Sequence, residues 1–250
     1  MKLEYLKNKL IVVAGGGYFG TKALMFGKDV HARVGVIDNR IDCEASRFVD
    51  EIIKEEDIRR VIDIEPGSST LFISDAVDFL VRLLEVRTPD FIFPAMPGNL
   101  AGKLIKRQLE CEGLVVKSKS KVTKKVMKDI PKSLISLYDE NMGVIITSYM
   151  FKGSMCRVPC DQPMDFCPTT GRLKMGPMHQ ILAYATHDEV TLSKILVSRV
   201  FGESVGSFEG PELASFLSDV KRLKAPYTLA IGTACDCHGI LNLFSIHATQ

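Results

Sequence analysis

The chain has 250 residues, 46% hydrophobic and 25% charged, with a formal net charge of +2. This length suffices for one large domain or two smaller ones, and the balanced charge argues against a dedicated nucleic-acid binder. Because it lacks both a run of about 18 apolar residues and the pattern of a secretory signal, we expect a cytoplasmic protein with neither a membrane nor a nucleic-acid partner.

The first elements alternate between strand and helix. Leu10–Ala14 is a short apolar run rich in β-branched residues, typical of a strand buried on both faces. A glycine turn follows, then Thr21–Phe26 with helix-forming composition, then a second predicted strand at Arg33–Asp38. Together they span about thirty residues, the size of a βαβ unit.

The alternation continues to about residue 120. We predict a third strand at Val61–Ile64, an amphipathic helix at Asp75–Glu85, a strand at Asp90–Ala95, a helix at Leu100–Glu112 and a strand at Leu114–Val116. This pattern predicts an α/β fold with a doubly wound, mostly parallel sheet of Rossmann type.

The composition changes at Lys117–Lys132, which is rich in lysine and is interpreted as a linker or solvated helix, or alternatively as a phosphate-binding patch. We therefore expect two domains, residues 1–120 and a smaller, Cys-rich α/β part at 121–250. The expected elements there are a hairpin across Leu134–Met150, a helix at Met178–Tyr184, a strand at Lys194–Val200, a glycine-rich connection at Gly202–Gly210, a helix at Glu212–Leu223 and a strand at Tyr227–Ile231.

The glycine turn fits the spacing G-x-G-x-x-G between strand and helix, with Gly15, Gly17 and Gly20. In this motif the first glycine permits the tight turn, the second lets the backbone approach a pyrophosphate, and the third lets helix and strand pack closely. The first helical turn also offers N–H groups to an anion. Asp38 ends the second strand, where an acid would bond the adenosine ribose.

With these residues in register, Leu10–Lys117 resembles the NAD(P)-binding Rossmann superfamily, which implies a dinucleotide cofactor without naming a reaction. Arg40 could pair with a 2′-phosphate, but Asp38 would repel it, so NAD is favoured over NADP. Asn99 is a cofactor contact or simply an N-cap. The candidate cofactor-binding residues are Gly15, Gly16, Gly17, Tyr18, Phe19, Gly20, Asp38, Asn39, Arg40, Pro97 and Asn99. The alternatives are a turn that binds S-adenosylmethionine and a turn with no ligand.

The seven cysteines are expected to be thiols or metal ligands rather than disulfides. Thiolates suit zinc and iron–sulfur clusters. The cysteines of the last hundred residues fall into two groups, each of which follows a predicted strand. If those two strands are parallel neighbours, the loops that carry the cysteines meet at one edge of the sheet. The candidate ligands are Cys156, Cys160, Cys167, Cys235, Cys237 and His238, although their spacing matches no standard signature. The alternatives are buried, inert thiols and a reactive Cys237 beside His238.

These features favour an NAD(P)-dependent oxidoreductase with a cysteine-ligated metal or iron–sulfur site in its C-terminal half. A non-enzymatic dinucleotide or redox sensor with a metal or thiol switch is the second hypothesis, and an S-adenosylmethionine-dependent methyltransferase is the third. The sequence has no H-E-x-x-H or P-loop motif, so metalloprotease and P-loop ATPase functions have no support. The catalytic residues, the small-molecule substrate and any homo-oligomer stay open.

Overall fold

The computed structural model describes residues 3–54, 57–118, 121–154, 156, 160, 162–201 and 205–249. These residues form an α/β fold of six α-helices and thirteen strands in two sheets. The strands are β1 (Leu10–Ala14), β2 (Arg33–Asp38), β3 (Glu51–Ile53), β4 (Ser69–Ile73), β5 (Phe91–Pro94), β6 (Val115–Lys117), β7 (Ile135–Asp139), β8 (Val144–Ser148), β9 (Leu192–Val197), β10 (Arg199–Phe201), β11 (Val205–Glu209), β12 (Tyr227–Ala234) and β13 (His238–His247). The helices are α1 (Tyr18–Asp29), α2 (Ala76–Val86), α3 (Leu100–Cys111), α4 (Lys121–Asp129), α5 (Met178–His187) and α6 (Gly210–Val220).

The chain divides into two compact units, each made of two segments. Unit 1 comprises Met1–Leu100 and Arg199–Ser215, and unit 2 comprises Ala101–Ser198 and Phe216–Gln250. The boundary expected near residue 120 therefore falls inside unit 2. Residues 121–129 of the lysine-rich segment form α4 rather than a linker, and α4 buries Val126 completely against the core of unit 2.

Unit 1 is built on a seven-stranded sheet in the order β10-β11-β5-β1-β2-β4-β3. From β5 to β3 all neighbouring strands are parallel, whereas β11 is antiparallel to β5 and β10 is antiparallel to β11. Every residue of β1 is buried, as its continuous apolar run predicts for a central strand. The carboxyl ends of β1, β2, β4 and β5 therefore lie at one edge of this sheet.

The strand predicted at Val61–Ile64 is wrong. Ile58–Val61 forms a 3-10 turn instead, and the next strand is β4. The Asp57 carboxylate caps this turn by accepting the backbone N–H of Arg59 at 3.0 Å, and the turn buries Val61. A short apolar run does not by itself distinguish a strand from a buried helical turn, so periodicity failed here.

The glycine-rich connection expected at Gly202–Gly210 is wrong in part. Residues 202–204 lie outside the described residues, but Val205–Glu209 forms β11. Phe208 pairs with Ile92 of β5 and is 1% exposed. Because its partner comes far earlier in the chain, the local sequence carries little signal for this strand.

Unit 2 is built on a six-stranded sheet in the order β7-β8-β13-β12-β9, with β6 also paired to β13. The predicted hairpin is confirmed by the antiparallel pair β7 and β8, and the predicted helices and last strand by α5, α6 and β12. β13 runs antiparallel to both β8 and β12, so these two strands are parallel to each other with β13 between them. Within the described part of the chain, no helix is long and apolar enough to cross a membrane.

Candidate functional site

The glycine turn joins β1 to α1 in unit 1 and is held by backbone hydrogen bonds on both sides. Gly15 N–H donates to the carbonyl of Ile37 at 2.8 Å, and the carbonyl of Gly16 accepts the N–H of Ala45 at 2.8 Å. Gly15 has φ of +107°, a conformation that residues with side chains rarely adopt. Gly17 is the N-cap of α1 and brings no side chain to cap it, which leaves the N–H groups of the first turn for an external acceptor.

The three glycines of the motif differ in the space around them. A Cβ at Gly15 would lie 2.5 Å from the carbonyl oxygen of Ala95, and one at Gly20 would lie 1.9 Å from that of Gly15. Both glycines are therefore required for packing. A Cβ at Gly17 would meet no atom within 4 Å. The space in front of Gly17 is thus open, as the approach of a pyrophosphate requires.

Asp38 closes the site at the end of β2. Its Oδ2 accepts the N–H of Gly16 at 2.7 Å, and its Oδ1 accepts the N–H of Arg40 at 2.9 Å. Each carboxylate oxygen keeps further acceptor capacity for a hydroxyl donor. The Arg40 guanidinium lies 3.3 Å from the Asp42 carboxylate, and Asn39 is exposed.

Two clefts of unit 1 share the loop after β5 as a wall. The first, of about 240 Å³, is lined by Gly15, Gly17, Ile37, Asp38, Asn39, Ser74, Asp75, Ala76, Ala95, Met96 and Pro97. The second, of about 390 Å³, is lined by Phe19, Pro94, Ala95, Met96, Pro97, Val205 and Gly206. The glycine turn and Asp38 therefore line the first cleft, and the exposed side chain of Phe19 lines the second.

Of the remaining predicted cofactor residues, Phe19 and Pro97 line the second cleft, whereas Tyr18 lines a separate cleft beside α1. Tyr18 and Phe19 are 56% and 59% exposed, and Lys22 Nζ lies 4.9 Å from the centre of the Tyr18 ring. Pro97 is exposed in the loop after β5. Asn99 is 4% exposed and immediately precedes α3, so its position suits an N-cap better than a ligand contact.

Cys43 packs behind the glycine turn, a contact that the sequence analysis missed. Its Sγ occupies the space that a Cβ at Gly16 would fill, 2.5 Å away. Burial raises the pKa of this thiol, and the nearby Asp38 carboxylate also raises it. Cys43 is therefore a packing residue that leaves no room for a side chain at Gly16.

In unit 2 the candidate metal ligands lie in two loops at one edge of the sheet. Cys156, Cys160 and Cys167 follow β8, and Cys235 and Cys237 lie between β12 and β13. The sequence analysis let the two loops meet on the condition that β8 and β12 are parallel neighbours, but β13 lies between the two strands. They are nevertheless parallel, so both loops do leave the same edge, and His238 begins β13 there.

Backbone hydrogen bonds join the two loops. Tyr149 N–H donates to the carbonyl of Cys237 at 3.1 Å, and Met178 N–H, at the start of α5, donates to that of Asp236 at 3.1 Å. The Tyr149 hydroxyl donates to the carbonyl of Gly176 at 2.7 Å and accepts the N–H of Met175 at 3.0 Å. Tyr149 is 1% exposed and ties together the loop that carries three of the cysteines.

Cys235 and Cys237 form a hydrogen-bonded pair of thiols. The Cys235 sulfur accepts the backbone N–H groups of Cys237 and His238 at 3.4 and 3.3 Å, and lies 3.8 Å from Nδ1 of His238. The hydrogen bond from the Cys237 thiol, together with these N–H groups, lowers the pKa of Cys235 to about 6. The same thiol–thiol bond and burial raise the pKa of Cys237, although Lys174 opposes the rise. Burial lowers the pKa of His238.

The other thiols lie close enough to interact with this pair. The pKa of Cys156 is raised by desolvation and then by the charges of Cys160, Cys167 and Cys237. Burial raises the pKa of Cys167, but hydrogen bonds from Thr170 and the backbone of Thr169 outweigh it and lower the pKa. Among the described residues, no group of three or more His, Cys, Asp or Glu side chains is already arranged to hold a metal ion.

Fold and geometry thus define a two-unit α/β protein with a glycine turn in unit 1 and a cysteine cluster in unit 2. A family model described as "Uncharacterized protein, C-terminal domain" (AF_1314_C) matches residues 101–247, and the chain belongs to this family. The match begins at the first residue of unit 2 and contains all six candidate metal ligands.

One relative covers both units. It is a protein of Archaeoglobus fulgidus described as uncharacterized, 25% identical over 230 residues, which are 92% of this chain and 96% of the relative. No solved structure matches the chain.

Proposed function

We propose that unit 1 is a Rossmann-type domain that binds a dinucleotide, with NAD as the preferred cofactor and NADP as the alternative. The strand order supports this proposal. The chain passes from β1 to β2 and β4 on one side, and β5 lies on the other side of β1. In open α/β sheets, ligands bind at such a switch point, outside the carboxyl ends of the strands.

The open space at Gly17 is the observation that carries the proposal. Gly15 and Gly20 are small because backbone atoms approach them, but nothing in the described chain fills the space next to Gly17. A glycine there gains no packing, whereas a pyrophosphate on the N-terminus of α1 would need the room and the free N–H groups.

The two clefts match the two halves of a dinucleotide. The ribose of the adenosine half would lie in the cleft that holds Asp38, whose carboxylate can accept its hydroxyl protons. The negative charge of Asp38 disfavours a 2′-phosphate, and Arg40, 3.3 Å from Asp42, is already partnered. The nicotinamide half would lie in the cleft beside Phe19 and Pro94.

Nicotinamide cofactors carry hydride, so dinucleotide binding favours an oxidoreductase. NAD oxidation or reduction in the presence of substrate would distinguish an enzyme from a sensor, because a sensor binds both redox forms with different affinity and consumes neither. Screening carbonyl and alcohol compounds for a change in nicotinamide absorbance tests this part of the proposal.

Calorimetric titration of the full chain with NADH, NADPH and S-adenosylmethionine tests the binding step. We expect NADH to bind and Gly17→Val to weaken binding by at least about tenfold. Gly17 has φ of −77° and free space around it, so the variant should stay folded and lose only about 1 kcal/mol for an aliphatic residue at the N-cap of α1. Gly17→Ala, with a smaller side chain, should lose less affinity than Gly17→Val.

Failure of the wild type to bind any dinucleotide would refute the proposal, and so would equal affinity in Gly17→Val. If S-adenosylmethionine binds and no dinucleotide does, the ligand assigned to the glycine turn becomes a methyl donor. In that outcome the glycine turn remains a nucleoside site but the oxidoreductase class is excluded.

A further inference from the structure

The tight turn between β12 and β13 carries a thiol and an imidazole side by side. The Cys235 N–H donates to the carbonyl of His238 at 3.0 Å, so only Asp236 and Cys237 form the tip of the turn. Although His238 follows Cys237 in sequence, its Nδ1 lies 3.8 Å from the Cys235 sulfur. A thiol within hydrogen-bond reach of an imidazole is the arrangement of an activated nucleophile.

Two backbone amides also point at the Cys235 sulfur. The N–H groups of Cys237 and His238 donate to it at 3.4 and 3.3 Å. Hydrogen bonds of this kind favour the thiolate over the thiol, and the thiolate is the form of cysteine that attacks an electrophile. The turn therefore surrounds Cys235 with groups that promote nucleophilic attack.

Other elements of unit 2 hold this turn in place. The carbonyls of residues 235–237 accept the backbone N–H groups of His179, Met178 and Tyr149, in that order, at 3.2, 3.1 and 3.1 Å. The Asp236 carboxylate also lies 3.3 Å from Nδ1 of His179. Because the backbone of the turn is fixed at three consecutive residues, the thiol and the imidazole keep their mutual geometry.

The two thiols of the turn differ in their access to solvent. Cys235 is partly exposed, whereas Cys237 is 6% exposed. The Cys237 thiol donates a hydrogen bond to the Cys235 sulfur. A molecule from solvent therefore reaches Cys235 first, and Cys237 lies next to any bond that Cys235 forms with it.

We propose that this turn reacts with a disulfide compound by thiol–disulfide exchange, with Cys235 as the attacking thiol and Cys237 as the resolving thiol. Two thiols favour a disulfide as the substrate, because an alkyl or acyl electrophile would need only one. The turn lies within unit 2, so this reaction does not depend on the dinucleotide site proposed for unit 1.

The exchange has two steps. In the first, the Cys235 proton passes to Nδ1 of His238, and the thiolate attacks one sulfur of the disulfide RSSR. The S–S bond of RSSR breaks, and the leaving RS⁻ takes the proton from His238. In the second, the Cys237 sulfur attacks the Cys235 sulfur of the mixed disulfide, and a second RS⁻ leaves with the Cys237 proton. Two protein thiols are oxidised to one disulfide, and RSSR is reduced to two RSH.

The first test treats the reduced full chain at neutral pH with about one equivalent of dithiobis(nitrobenzoate), an aromatic disulfide whose released thiolate is coloured. We expect about two coloured thiolates for each reagent molecule consumed. Peptide mapping after alkylation should then find a bond between Cys235 and Cys237. Modification of the exposed Cys111 ahead of Cys235, or an unmodified turn, would overturn the proposal. Mapping of the wild type needs no variant, so it stands even if a variant fails to fold.

Serine variants separate the two steps. Cys237→Ser keeps the attacking thiol, so it should react as fast as the wild type but release only about one coloured thiolate. The other half of the reagent should stay on Cys235 as a mixed disulfide, detected by mass. Release of two coloured thiolates by Cys237→Ser would show that another thiol resolves the intermediate. Cys235→Ser should lose the fast reaction, and its persistence would overturn the role of Cys235.

His238→Asn should slow the first step by about tenfold or more at neutral pH. The rates of this variant and of the wild type should converge in alkaline solution, where the thiol ionises without help from the imidazole. A deficit that persists at every pH would contradict the role of His238. Cys111→Ser is the matched control, because Cys111 is an exposed thiol of the same unit. It should react like the wild type, and a lost fast reaction there would overturn the proposal.

Discussion

The Asp38 carboxylate accepts the backbone N–H of Gly16 at 2.7 Å and so ties the end of β2 to the glycine turn after β1. The acid therefore has two roles in the proposed site. It fixes the turn that would hold the pyrophosphate, and it places a negative charge where the adenosine ribose would lie. Substitutions at this position should separate the two roles.

Asp38→Asn should shift cofactor preference towards NADPH. The asparagine Oδ1 can still accept the Gly16 N–H, but the charge that repels a 2′-phosphate is gone. We expect the ratio of NADPH to NADH affinity to rise by about tenfold, as measured by calorimetric titration.

Asp29→Asn removes the same charge from an exposed position at the end of α1 and should leave this ratio unchanged. An unchanged ratio in Asp38→Asn as well would show that Asp38 does not face the ribose.

Gly20→Ala should damage the fold of unit 1 rather than ligand contacts alone. The added Cβ would lie 1.9 Å from the carbonyl oxygen of Gly15, so α1 must move away from the turn. We expect a loss of about 1–3 kcal/mol in the free energy of unfolding, measured by urea denaturation. Wild-type stability in Gly20→Ala would mean that helix and turn are packed less closely than described. Comparison with Gly17→Val separates packing from binding, since the added side chain there meets no atom within 4 Å and should cost less stability.

The Asp50–Lys28 ion pair should make the stability of unit 1 depend on acidity. Lys28 Nζ lies 2.8 Å from Asp50 Oδ1, and its hydrogen bond, with those from Ser69, holds the pKa of Asp50 below its usual value of 3.8. A carboxyl group with a lowered pKa stabilises the fold above its unfolded pKa, and this contribution is lost as the pH falls through the folded value. Asp50→Asn should therefore be less stable than the wild type at neutral pH and approach it in acid.

Urea denaturation at successively lower pH measures this convergence. Lys28→Met removes the partner of Asp50. Because each single variant already breaks the ion pair, the double variant should lose no more stability than the two single losses added together. A constant difference between wild type and Asp50→Asn down to acid pH would contradict the assignment.

Tyr149→Phe should destabilise the loop that carries Cys156, Cys160 and Cys167. The hydroxyl donates to the carbonyl of Gly176 and accepts the N–H of Met175. The variant would leave this carbonyl and this N–H without their partner. We expect the free energy of unfolding to fall by about 1–3 kcal/mol.

Tyr138→Phe provides the control for this change. The buried Tyr138 hydroxyl has no hydrogen-bond partner among the residues that the structure describes, so its removal should be neutral or stabilising. Equal losses in the two variants would show that hydroxyl pairing is not what stabilises the loop.

Local signals predicted much of unit 1. The buried run Leu10–Ala14, the three glycines and Asp38 lie close together in sequence, and each has a short-range physical reason for its type. The turn and the acid at the end of β2 were therefore placed correctly. β11 was missed because its pairing with a distant strand leaves little trace in local periodicity. A strand was predicted at Val61–Ile64 because the buried residue of a 3-10 turn looks locally like part of an apolar run.

By itself, the sequence determined the residue types of both sites: glycines where backbone approaches backbone, an acid at the end of β2, and clustered cysteines in two segments. Only the tertiary structure decided which of these residues meet. β13 enters between β8 and β12, and the chain returns to unit 1 at Arg199–Ser215. These arrangements depend on long-range strand pairing, whose free energy is gained only when distant segments come together, so no local pattern encodes them.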